Sequence, residues 1–522
     1  MSQPSVKLTP QELDRALSYI EATRASDFFP QPFEFQAIRH SWKKIRPALE
    51  RVELLSYSPN PAIEFIAPKQ RALVRPVHLL NPLDTIFFTG LVFKVVPTAT
   101  RKRNEYQNGK VFSWHYVLDA IDPTNPFQSD WDGFREKAEE LSKGCEFVAT
   151  ADIVDFFPRV YLHRLENALK AISGDTYLTR AIMNLIGGWA DGTSYGIPTG
   201  PHASNFLAEI LLIEVDQYLI SCGIEFIRWV DDYVIFGNSE SDCQAGMFQL
   251  GTRLQQTQGL SLNPAKSRIY PAMEYRSQVW HKDDPTSNLR DKIIDEVFDG
   301  NPYADVNYED LSPEDKKVID ELDVKNSLEK ALSGDLIDLA ATKFLLKVLT
   351  ALRRPELIDP VLSSLDRLLP VVDSVGRFFD TLDKDEETNH QDIGKRLIAY
   401  LQEKPFCPDF QTMWLLDPFT RSSSWNNLNE LRVYARNNRN MMVRRQAILG
   451  LGQIGDRSAL LDVRYELQNT KDWERNAIIY ACRALPLDEL NALISSMKSL
   501  GGDWKESNAL QKAVIEFVKK SS

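Results

Sequence analysis

Two adjacent carboxylates, Asp231 and Asp232, are the residues of this chain best suited to chemistry. Apolar residues rich in β-branched and aromatic types flank them at 229–230 and 233–236. This pattern predicts a strand, a tight turn and a second strand. Paired charges in such a setting need a counterion, and a divalent cation is the usual one. A third carboxylate is therefore expected nearby.

Asp152 is the candidate for that third carboxylate. It ends another apolar segment, 147–151, and two aromatic residues, Phe156 and Phe157, follow it. A strand ending in Asp beside a hairpin that carries Asp-Asp is the minimal arrangement for two metal ions roughly 3.5–4 Å apart, which activate the attacking oxygen and stabilise the leaving one. Phosphoryl transfer needs little beyond such positioning and charge neutralisation.

Five motifs in the right order resemble those of reverse transcriptases. They are 75–77 with 82–84 in the fingers, 152–157, 196–204 and 230–232 in the palm, and 262–267 as the fourth palm motif. An Asp-Asp pair alone is a weak signal, whereas the ordered set is a strong one. The resemblance implies a fingers and palm fold that carries out nucleotidyl transfer.

The same resemblance assigns roles to the acidic residues. Asp152, Asp231 and Asp232 are expected to hold two Mg²⁺ ions together with the backbone carbonyl of Ile153, and Mn²⁺ is an alternative ion. Oxygen ligands of this kind suit both metals. Lys266 is expected to act as a catalytic residue by protonating the departing pyrophosphate. The alternative for Lys266 is an ordinary surface lysine.

Nucleotide contacts are also predicted, and one of them is Ile153, directly after Asp152. Phe157 lies where the family places an aromatic ring beside the sugar, so a bulky ring would exclude a 2′-hydroxyl; the alternative is a core aromatic. Lys69, Arg71 and Arg75 are candidates for triphosphate contact because guanidinium matches phosphate bidentately. Their alternative is a solvated basic strand. Asp155 is interpreted as a helix cap, and contact with the nucleotide region is the alternative.

The loop 196–204 is predicted to contact the nucleotide through Thr199 and Gly200. Glycine at 196 and 200 lets backbone approach a ligand, although an ordinary surface turn would use the same residues. Many templated relatives carry Gln where this chain has Thr199 and Pro where it has Asn205. This departure argues against ordinary handling of a template and leaves the metal chemistry untouched.

Length and composition predict a large soluble protein. With 522 residues, of which 43% are hydrophobic, two to four domains are expected. No apolar run approaches the roughly 18 residues that span a membrane, and the first residues lack the apolar core of a signal peptide. The five cysteines are scattered, which is typical of free thiols in a reducing compartment. We therefore expect a cytoplasmic protein without membrane attachment.

Net charge is unusual for a polymerase. The chain carries −12, whereas a protein that grips a long duplex is usually basic because phosphate contacts dominate affinity. Two local basic clusters exist, one at 69–75 and one formed by Arg101, Lys102, Arg103 and Lys110. They suit contact with a triphosphate or a short strand.

The predicted organisation has three parts. Residues 1–275 form fingers and palm, with a helical part at 1–60; 276–315 form an acidic connecting segment; and 316–522 form a helical domain. Between 283 and 323 there are fourteen acidic and four basic residues, so a basic thumb is not evident there. The alternative interpretation of this stretch is a solvated linker.

The last part of the chain shows helical periodicity. Apolar spacing predicts a helix that stops near Pro355 and a second over 357–369. The stretches 443–456 and 475–485 resemble each other and a HEAT-like repeat, with Ala447 and Ala477 small enough for helices to approach closely. The predicted fold class is α+β: reverse-transcriptase fingers and palm followed by an all-α HEAT-like repeat domain.

Together these features resemble the bacterial abortive-infection reverse transcriptases, of the AbiK type and its prophage-encoded relatives, a defence-associated family. The resemblance implies antiphage activity, polymerisation of dNTPs without a template, a single-stranded DNA product attached covalently to the protein, and homo-oligomers. Hydroxyl groups that could prime synthesis are found before the palm at Tyr19, Tyr57, Tyr106 and Tyr116. Two alternatives remain: a templated, retron-like RNA-directed DNA polymerase, and a helical-repeat interaction protein with a scaffold palm.

Overall fold

The computed structural model describes most of the chain. The described residues are 4–107, 109–116, 127–128, 130–277, 312–313, 324–352, 357–382, 388–404, 406–465, 470, 472–499 and 509–521. They group into two compact units: Met1–Phe35, Trp42–Glu64 and Pro76–Lys282 form the first, and Gln36–Ser41, Phe65–Arg75 and Asp283–Ser522 form the second. Most of the predicted acidic segment 276–315 lies outside the described residues.

Eight strands form three sheets among the described residues. The strands are β1 (Ile63–Pro68), β2 (Val74–Leu79), β3 (His115–Tyr116), β4 (Phe127–Gln128), β5 (Phe147–Asp152), β6 (Glu225–Trp229), β7 (Asp232–Gly237) and β8 (Arg268–Pro271). Strands β1 and β2 form one two-stranded sheet and β3 and β4 another, while the largest sheet is antiparallel with the order β6-β7-β5-β8. The predicted strand, turn and strand around Asp231 are thus confirmed.

Ten α-helices lie between residues 10 and 275 in the described part of the chain. They are α1 (Pro10–Thr23), α2 (Glu34–Leu49), α3 (Pro82–Gln107), α4 (Trp131–Lys143), α5 (Phe156–Arg159), α6 (Leu162–Ser173), α7 (Thr176–Trp189), α8 (His202–Ser221), α9 (Glu240–Arg253) and α10 (Ala272–Tyr275), with a π-helical turn at Leu254–Gln258. Val234 and Phe236 of β7 share a core with Phe134 of α4, whereas Ile235 lies against Gly246 of α9. Both faces are covered, which explains the unbroken apolar run along β7.

Helix α1 begins as its sequence predicts. The Thr9 hydroxyl accepts a hydrogen bond from the Glu12 amide, the Glu12 carboxylate accepts one from the Thr9 amide at 2.8 Å, and Pro10 occupies the first helical position. This reciprocal arrangement satisfies backbone donors that a helix start otherwise leaves unpaired. The residues 9–12 therefore define the start of α1 locally.

Helix α3 is a core helix, although one part of it has the length and composition of a membrane span. Among the described residues, the stretch Pro82–Arg103 alone meets this criterion, and 78% of its most apolar window is buried inside the protein. The sequence analysis did not anticipate so long an apolar helix. Its surroundings are α1 and the equally buried α8, so protein rather than lipid covers its apolar surface.

After residue 323, the described part of the second unit consists of helices. They are α11 (Val324–Leu332), α12 (Leu339–Leu352), α13 (Ile358–Ser363), α14 (Val372–Thr381), α15 (His390–Glu403), α16 (Asp409–Leu416), α17 (Leu428–Asn437), α18 (Met441–Ile454), α19 (Arg457–Tyr465), α20 (Asp472–Ala481), α21 (Leu487–Ser499) and α22 (Ala509–Ser521). A mixed first part and a helical C-terminal part confirm the predicted α+β fold class.

One helix prediction is wrong. The apolar periodicity over 357–369 does not form a single helix, because α13 ends at Ser363. The Ser363 hydroxyl donates to the carbonyls of Asp359 and Pro360, and such local hydrogen bonds compete with helix continuation. The helix predicted to stop near Pro355 is confirmed at its end, since α12 ends at Leu352. Pro355 itself lies outside the described residues.

The two repeat-like stretches pack on each other as α18 and α20. Ala447 and Ala477 are both fully buried, as their small size predicts. The closest approach is made by Gly452, where an added Cβ would lie 2.5 Å from the Cα of Ala481. Close helix pairing is therefore present, and the HEAT-like class of the repeat stays a prediction.

Two segments of the predicted first domain group with these helices. His40 lies 5.7 Å from Phe517 between ring centroids, and Phe65 lies 6.3 Å from Phe410. The Ser41 hydroxyl also donates to the carbonyl of Ala513 at 3.4 Å. Division of the chain by position, with one domain over 1–275, could not include such long-range contacts.

Candidate active site

The antiparallel register places two of the predicted metal ligands side by side. Asp152 ends β5 and Asp232 begins β7, and they are direct cross-strand partners. Opposite residues in such a pair have Cβ atoms about 4.5–5.5 Å apart. Asp231 occupies the turn between β6 and β7, and its carbonyl accepts a hydrogen bond from the Ile153 amide at 3.3 Å. The backbone next to Asp152 therefore lies against the turn.

Asp152 is held by the motif that follows β7. Asn263 donates from its side chain to Asp152 Oδ2 at 3.0 Å and from its backbone amide to the Asp152 carbonyl at 2.7 Å. Lys266 donates from Nζ to Asp152 Oδ1 at 2.7 Å. Lys266 thus meets the acidic site, as predicted, through a carboxylate. Asn263 belongs to the motif 262–267, but it was not predicted to be a site residue.

The acids influence each other's protonation. Burial, together with repulsion from Asp231 and Asp152, raises the pKa of Asp232 to about 7. Asp232 is accessible to solvent at the strand end, so we attribute more of the shift to the neighbouring carboxylates than to burial. Burial lowers the pKa of Lys266, but the hydrogen bond and charge of Asp152 outweigh it and raise that pKa above its ordinary value. Lys266 therefore remains protonated at neutral pH.

The acidic residues fit a magnesium site of the open kind. Within the described part of the chain no three His, Cys, Asp or Glu side chains converge on one preformed cation position. Mg²⁺ does not need such a cage, because it keeps several waters and binds through one or two carboxylates plus substrate phosphates. Asp152 and Asp232 supply that pair, and Asp231 is the next residue in the turn. The raised pKa of Asp232 indicates negative charge that a divalent cation would compensate.

The two aromatic residues after Asp152 have different environments. Phe156 is buried, with 2% of its surface exposed, whereas Phe157 is partly exposed. Their rings meet edge to face at 5.7 Å. Phe156 therefore takes the core position, which leaves Phe157 accessible for the predicted sugar contact. Asp155 precedes α5 at the N-cap position, but it makes no capping hydrogen bond through its side chain.

The loop 196–204 is anchored next to Phe157. The Ile197 amide donates to the Phe157 carbonyl at 3.1 Å. Thr199 is buried, and its backbone amide and carbonyl both bond to His78. Gly200 has a φ of +123°, and an added Cβ would lie 2.5 Å from the hydroxyl of Ser26. The glycine is thus explained by protein packing, and contacts of Thr199 and Gly200 with a nucleotide stay predictions.

The predicted triphosphate ligands belong to the hairpin formed by β1 and β2. Arg71 lies in its turn with a φ of +59°, Lys69 precedes that turn, and Arg75 belongs to β2. The side chains of Arg71 and Arg75 are exposed. All three residues group with the second unit, so their role toward the nucleotide stays a prediction.

The second basic cluster is not a free basic surface. Arg103 is buried and donates to the carbonyls of Ser113 and Trp114, both at 3.0 Å. Lys110 pairs with Glu225 at 2.9 Å. Sequence position alone made these residues look like phosphate ligands. The expected phosphate contact is wrong for Arg103, because its guanidinium is buried and hydrogen-bonded inside the protein.

A buried charged group beneath the β6–β7 turn was not predicted from the sequence. Arg228 of β6 is fully buried and pairs with Asp216 at 2.6 Å and with Glu209 at 2.8 Å. An arginine inside an otherwise apolar strand is a signal that could have been noticed, because such charges are rarely buried unless they are paired. The partners on α8 could not be predicted, since their acidic side chains look like an exposed helix face in sequence.

A four-stranded antiparallel sheet that presents acids from two adjacent strands defines a palm-type nucleotidyltransferase site. Comparison with protein families agrees with this class: residues 108–282 match the family described as "Reverse transcriptase (RNA-dependent DNA polymerase)". The chain therefore contains a reverse transcriptase domain, which supports an enzyme of the DNA polymerase type. The matched range includes Asp152, Asp231, Asp232 and Lys266.

Solved structures similar to the chain include the telomerase from Candida albicans in complex with a TWJ fragment of telomeric RNA. The sequences are 10% identical and the TM-score is 0.31, with 67% of this chain and 65% of the telomerase chain covered. The chain therefore spans less than two thirds of that relative. At this TM-score the likeness supports no argument about mechanism. None of the curated proteins compared with the chain matches it.

Proposed function

We propose that this protein is a Mg²⁺-dependent DNA polymerase of the reverse-transcriptase fold that adds dNTPs by two-metal nucleotidyl transfer. The observation that carries the proposal is the pairing of Asp152 with Asp232 across two strands, with Asp231 in the adjoining turn. These carboxylates and the Ile153 carbonyl would hold the ions. When bound, the ions would supply activation of the attacking hydroxyl and stabilisation of the leaving oxygen.

Other residues of the chain would orient the substrate. Asn263 fixes the Asp152 carboxylate through its side-chain amide. Lys266 stays protonated beside Asp152 and would supply a proton to the pyrophosphate leaving group. Phe157, the accessible member of its aromatic pair, would exclude a 2′-hydroxyl and thereby select deoxynucleotides.

The finer part of the proposal is synthesis without a template in antiphage abortive infection. Three features support it: the departure from the templated pattern at Thr199, the net charge of −12, and the acidic composition of 283–323. Each of them disfavours a long duplex, because phosphate binding needs positive charge. The proposal includes a cytoplasmic location, homo-oligomers and a single-stranded DNA product.

Protein priming would need an accessible hydroxyl, and two of the predicted tyrosines lack one. Tyr19 is 2% exposed, and its hydroxyl bonds to His202 Nδ1 at 2.9 Å. Tyr57 donates to Asp84 at 2.6 Å. We therefore do not favour Tyr19 or Tyr57 as the primer. The side chains of Tyr106 and Tyr116 lie outside the described residues.

One experiment tests polymerisation and priming together. The full-length protein is incubated with labelled dNTPs and Mg²⁺, with and without an RNA template and primer, and the products are separated on a denaturing gel with and without protease. Label that migrates with the protein in the absence of RNA supports untemplated, protein-primed synthesis. Free DNA that requires RNA favours the templated alternative, to which the description of the matching family points. Incorporation that persists in both Asp231→Asn and Asp232→Asn would refute the catalytic site.

The defence role needs a separate test in cells. Bacteria that express the wild-type chain or the Asp232→Asn variant at equal levels are challenged with a panel of phages, and plaque formation and cell survival are measured. Protection by the wild type that the variant lacks supports the proposal. Equal plaque counts for both across the panel would contradict an antiphage role while leaving the polymerase assignment intact.

A further inference from the structure

The turn that carries Asp231 has a backbone conformation that its own sequence does not favour. Val230 has a φ of +52°, a region that costs free energy for a β-branched residue. Surrounding contacts must therefore hold it. The Val230 amide donates to the Ser113 hydroxyl oxygen at 2.9 Å, and the Val230 carbonyl accepts from Arg228 Nη1 at 2.7 Å. Both the backbone amide and the backbone carbonyl of Val230 are thus held by hydrogen bonds to side chains.

Those two contacts belong to one buried network. The Ser113 hydroxyl donates to Glu209 Oε1, and Arg228 Nη1 donates to Glu209 Oε2 at 2.8 Å. Arg228 also meets Asp216 through Nε and Nη2, at 3.1 and 2.6 Å. All four side chains are fully buried. One acid on α8 therefore joins the serine and the arginine that hold Val230.

The charges of the network balance. Arg103 lies 3.6 Å from Glu209, so two guanidinium groups face two carboxylates. Burial raises the pKa of Asp216, which would favour its neutral form. We take Asp216 as ionised because its oxygens accept hydrogen bonds from Arg228 and from the Tyr233 hydroxyl, which are donors that suit a carboxylate.

We propose that Ser113, Glu209 and Arg228 form a turn brace that holds Val230 in the left-handed region and thereby positions the Asp231 carboxylate for metal binding. The inference rests on the proposed function in one respect, namely that Asp231 is a metal ligand. The three residues are positioning residues, since they contact the turn and not the reacting atoms. Ser113 is the most specific member, because it lies far from the turn in sequence and contacts the Val230 amide directly.

A double-mutant cycle in the full-length protein tests the brace. Ser113→Ala removes the hydroxyl that receives the Val230 amide and leaves the ion pairs in place. Val230→Gly removes the conformational cost that the brace offsets, because glycine adopts positive φ readily. We expect Ser113→Ala to weaken Mn²⁺ binding and to slow dNTP incorporation by about tenfold each, as loss of one buried hydrogen bond implies. In the Val230→Gly background, Ser113→Ala should lower Mn²⁺ affinity and the rate of dNTP incorporation by less than about threefold each.

Hydrogen exchange supplies a readout that does not depend on metal or activity. Ser113→Ala should speed amide exchange in peptides that cover 225–237. Ser142→Ala is the matched control, because Ser142 is equally buried and its hydroxyl bonds to the Glu139 carbonyl in α4. The control should leave exchange in 225–237 and Mn²⁺ affinity unchanged. Arg228→Lys keeps the charge but cannot reach all three partners, and it should reproduce the Ser113→Ala pattern more strongly.

The outcomes separate the brace from the proposed enzyme activity. Faster exchange in 225–237 with weaker Mn²⁺ binding, in a protein that incorporates no dNTP, would support the brace and refute the polymerase. Unchanged exchange and Mn²⁺ affinity in Ser113→Ala would overturn the brace, whatever the incorporation rate. An equal loss of Mn²⁺ affinity from Ser113→Ala in the wild-type and in the Val230→Gly background would also overturn it, since the serine would then not act through the turn.

Discussion

Two hairpins of this protein turn through a non-glycine residue with positive φ, and they are supported in opposite ways. The β6–β7 turn contains Val230, whose amide and carbonyl are both fixed by buried side chains. The β1–β2 turn contains Arg71, which is exposed, beside Leu73 and Val74 that are 61% and 56% exposed. One hairpin lies within a four-stranded sheet, whereas the other forms a sheet of two strands.

The contrast shows where the chain places its buried charges. Around β6–β7, Arg103, Glu209, Asp216 and Arg228 are withdrawn from water, a cost that only close pairing offsets. Around β1–β2 the side chains of Arg71 and Arg75 are exposed. A metal site needs ligands held within fractions of an ångström, because coordination distances are narrow. A charged strand that only contacts a mobile substrate does not need side chains held within such narrow distances.

The largest expected effect is at the ligands themselves. Asp231→Asn and Asp232→Asn each replace a carboxylate by a neutral amide that binds divalent cations weakly. Incorporation of dNTPs should fall by about a thousandfold or more in each, since the charge that stabilises the transition state is lost. Rates are measured with labelled dNTPs at saturating Mg²⁺. Glu240→Gln, an exposed acid on α9, is the control and should retain full activity.

The second effect is on stability rather than rate. Arg228→Met leaves Asp216 buried without its guanidinium partner and leaves Glu209 with Arg103 alone. Breaking a buried pair of this kind typically costs about 3–5 kcal/mol. The midpoint of denaturant unfolding of the first unit should fall accordingly. Arg71→Ala in the other hairpin should change the unfolding free energy by less than about 0.5 kcal/mol, as exposed substitutions usually do. Similar losses for the two variants would contradict the contrast between the hairpins.

Sequence patterns predicted the catalytic hairpin because its information is local. The apolar runs on either side of Asp231 fix strand type, and the period of two fixes which side chains share a face. The opposition of Asp152 and Asp232 then follows from antiparallel pairing of a strand that ends in an acid with a strand that begins with one. The α+β class and the helical last part followed from periodicity in the same way.

Prediction was wrong or incomplete where long-range packing decides. Arg103 looked like a phosphate ligand beside Arg101 and Lys102, yet it is buried and lies 3.6 Å from Glu209. Gly200 leaves room for Ser26, a packing reason that was not predicted, while its contact with a nucleotide stays a prediction. In each case the partner is distant in the chain, and a single sequence carries no signal that joins the two residues.

The third expected effect is a pH dependence of metal binding. Without metal, the pKa of Asp232 is raised to about 7 from an ordinary value near 3.8. The folded protein thus holds a proton that the unfolded chain releases, so this group's contribution to stability is present below about pH 4 and lost as the pH rises toward 7. Metal binding displaces the proton. Mn²⁺ affinity should therefore weaken by up to about tenfold per pH unit below 7.

Titration calorimetry with Mn²⁺ between pH 5.5 and 8, about the span over which this proton is exchanged, measures the effect. The affinity should level off above pH 7, where Asp232 is already ionised, and proton release on binding should disappear there. In Asp232→Asn both the proton release and the pH dependence below 7 should be lost. A flat affinity profile for the wild type would show that the acids titrate independently of the metal.

The smallest expected effect concerns the exposed hairpin. If Arg75 contacts the triphosphate, Arg75→Ala should raise the KM for dNTP by about fivefold, because a solvated ion pair contributes about 1 kcal/mol or less, and kcat should change little. Lys137→Ala, at a partly exposed cation on α4 that pairs with Glu140, should leave both constants unchanged. Arg75→Lys should recover part of the loss, since it keeps the charge without the bidentate fork. An unchanged KM in Arg75→Ala would favour the alternative that the basic strand is solvated and does not bind the triphosphate. The nucleotide contacts would then have to come from the palm alone.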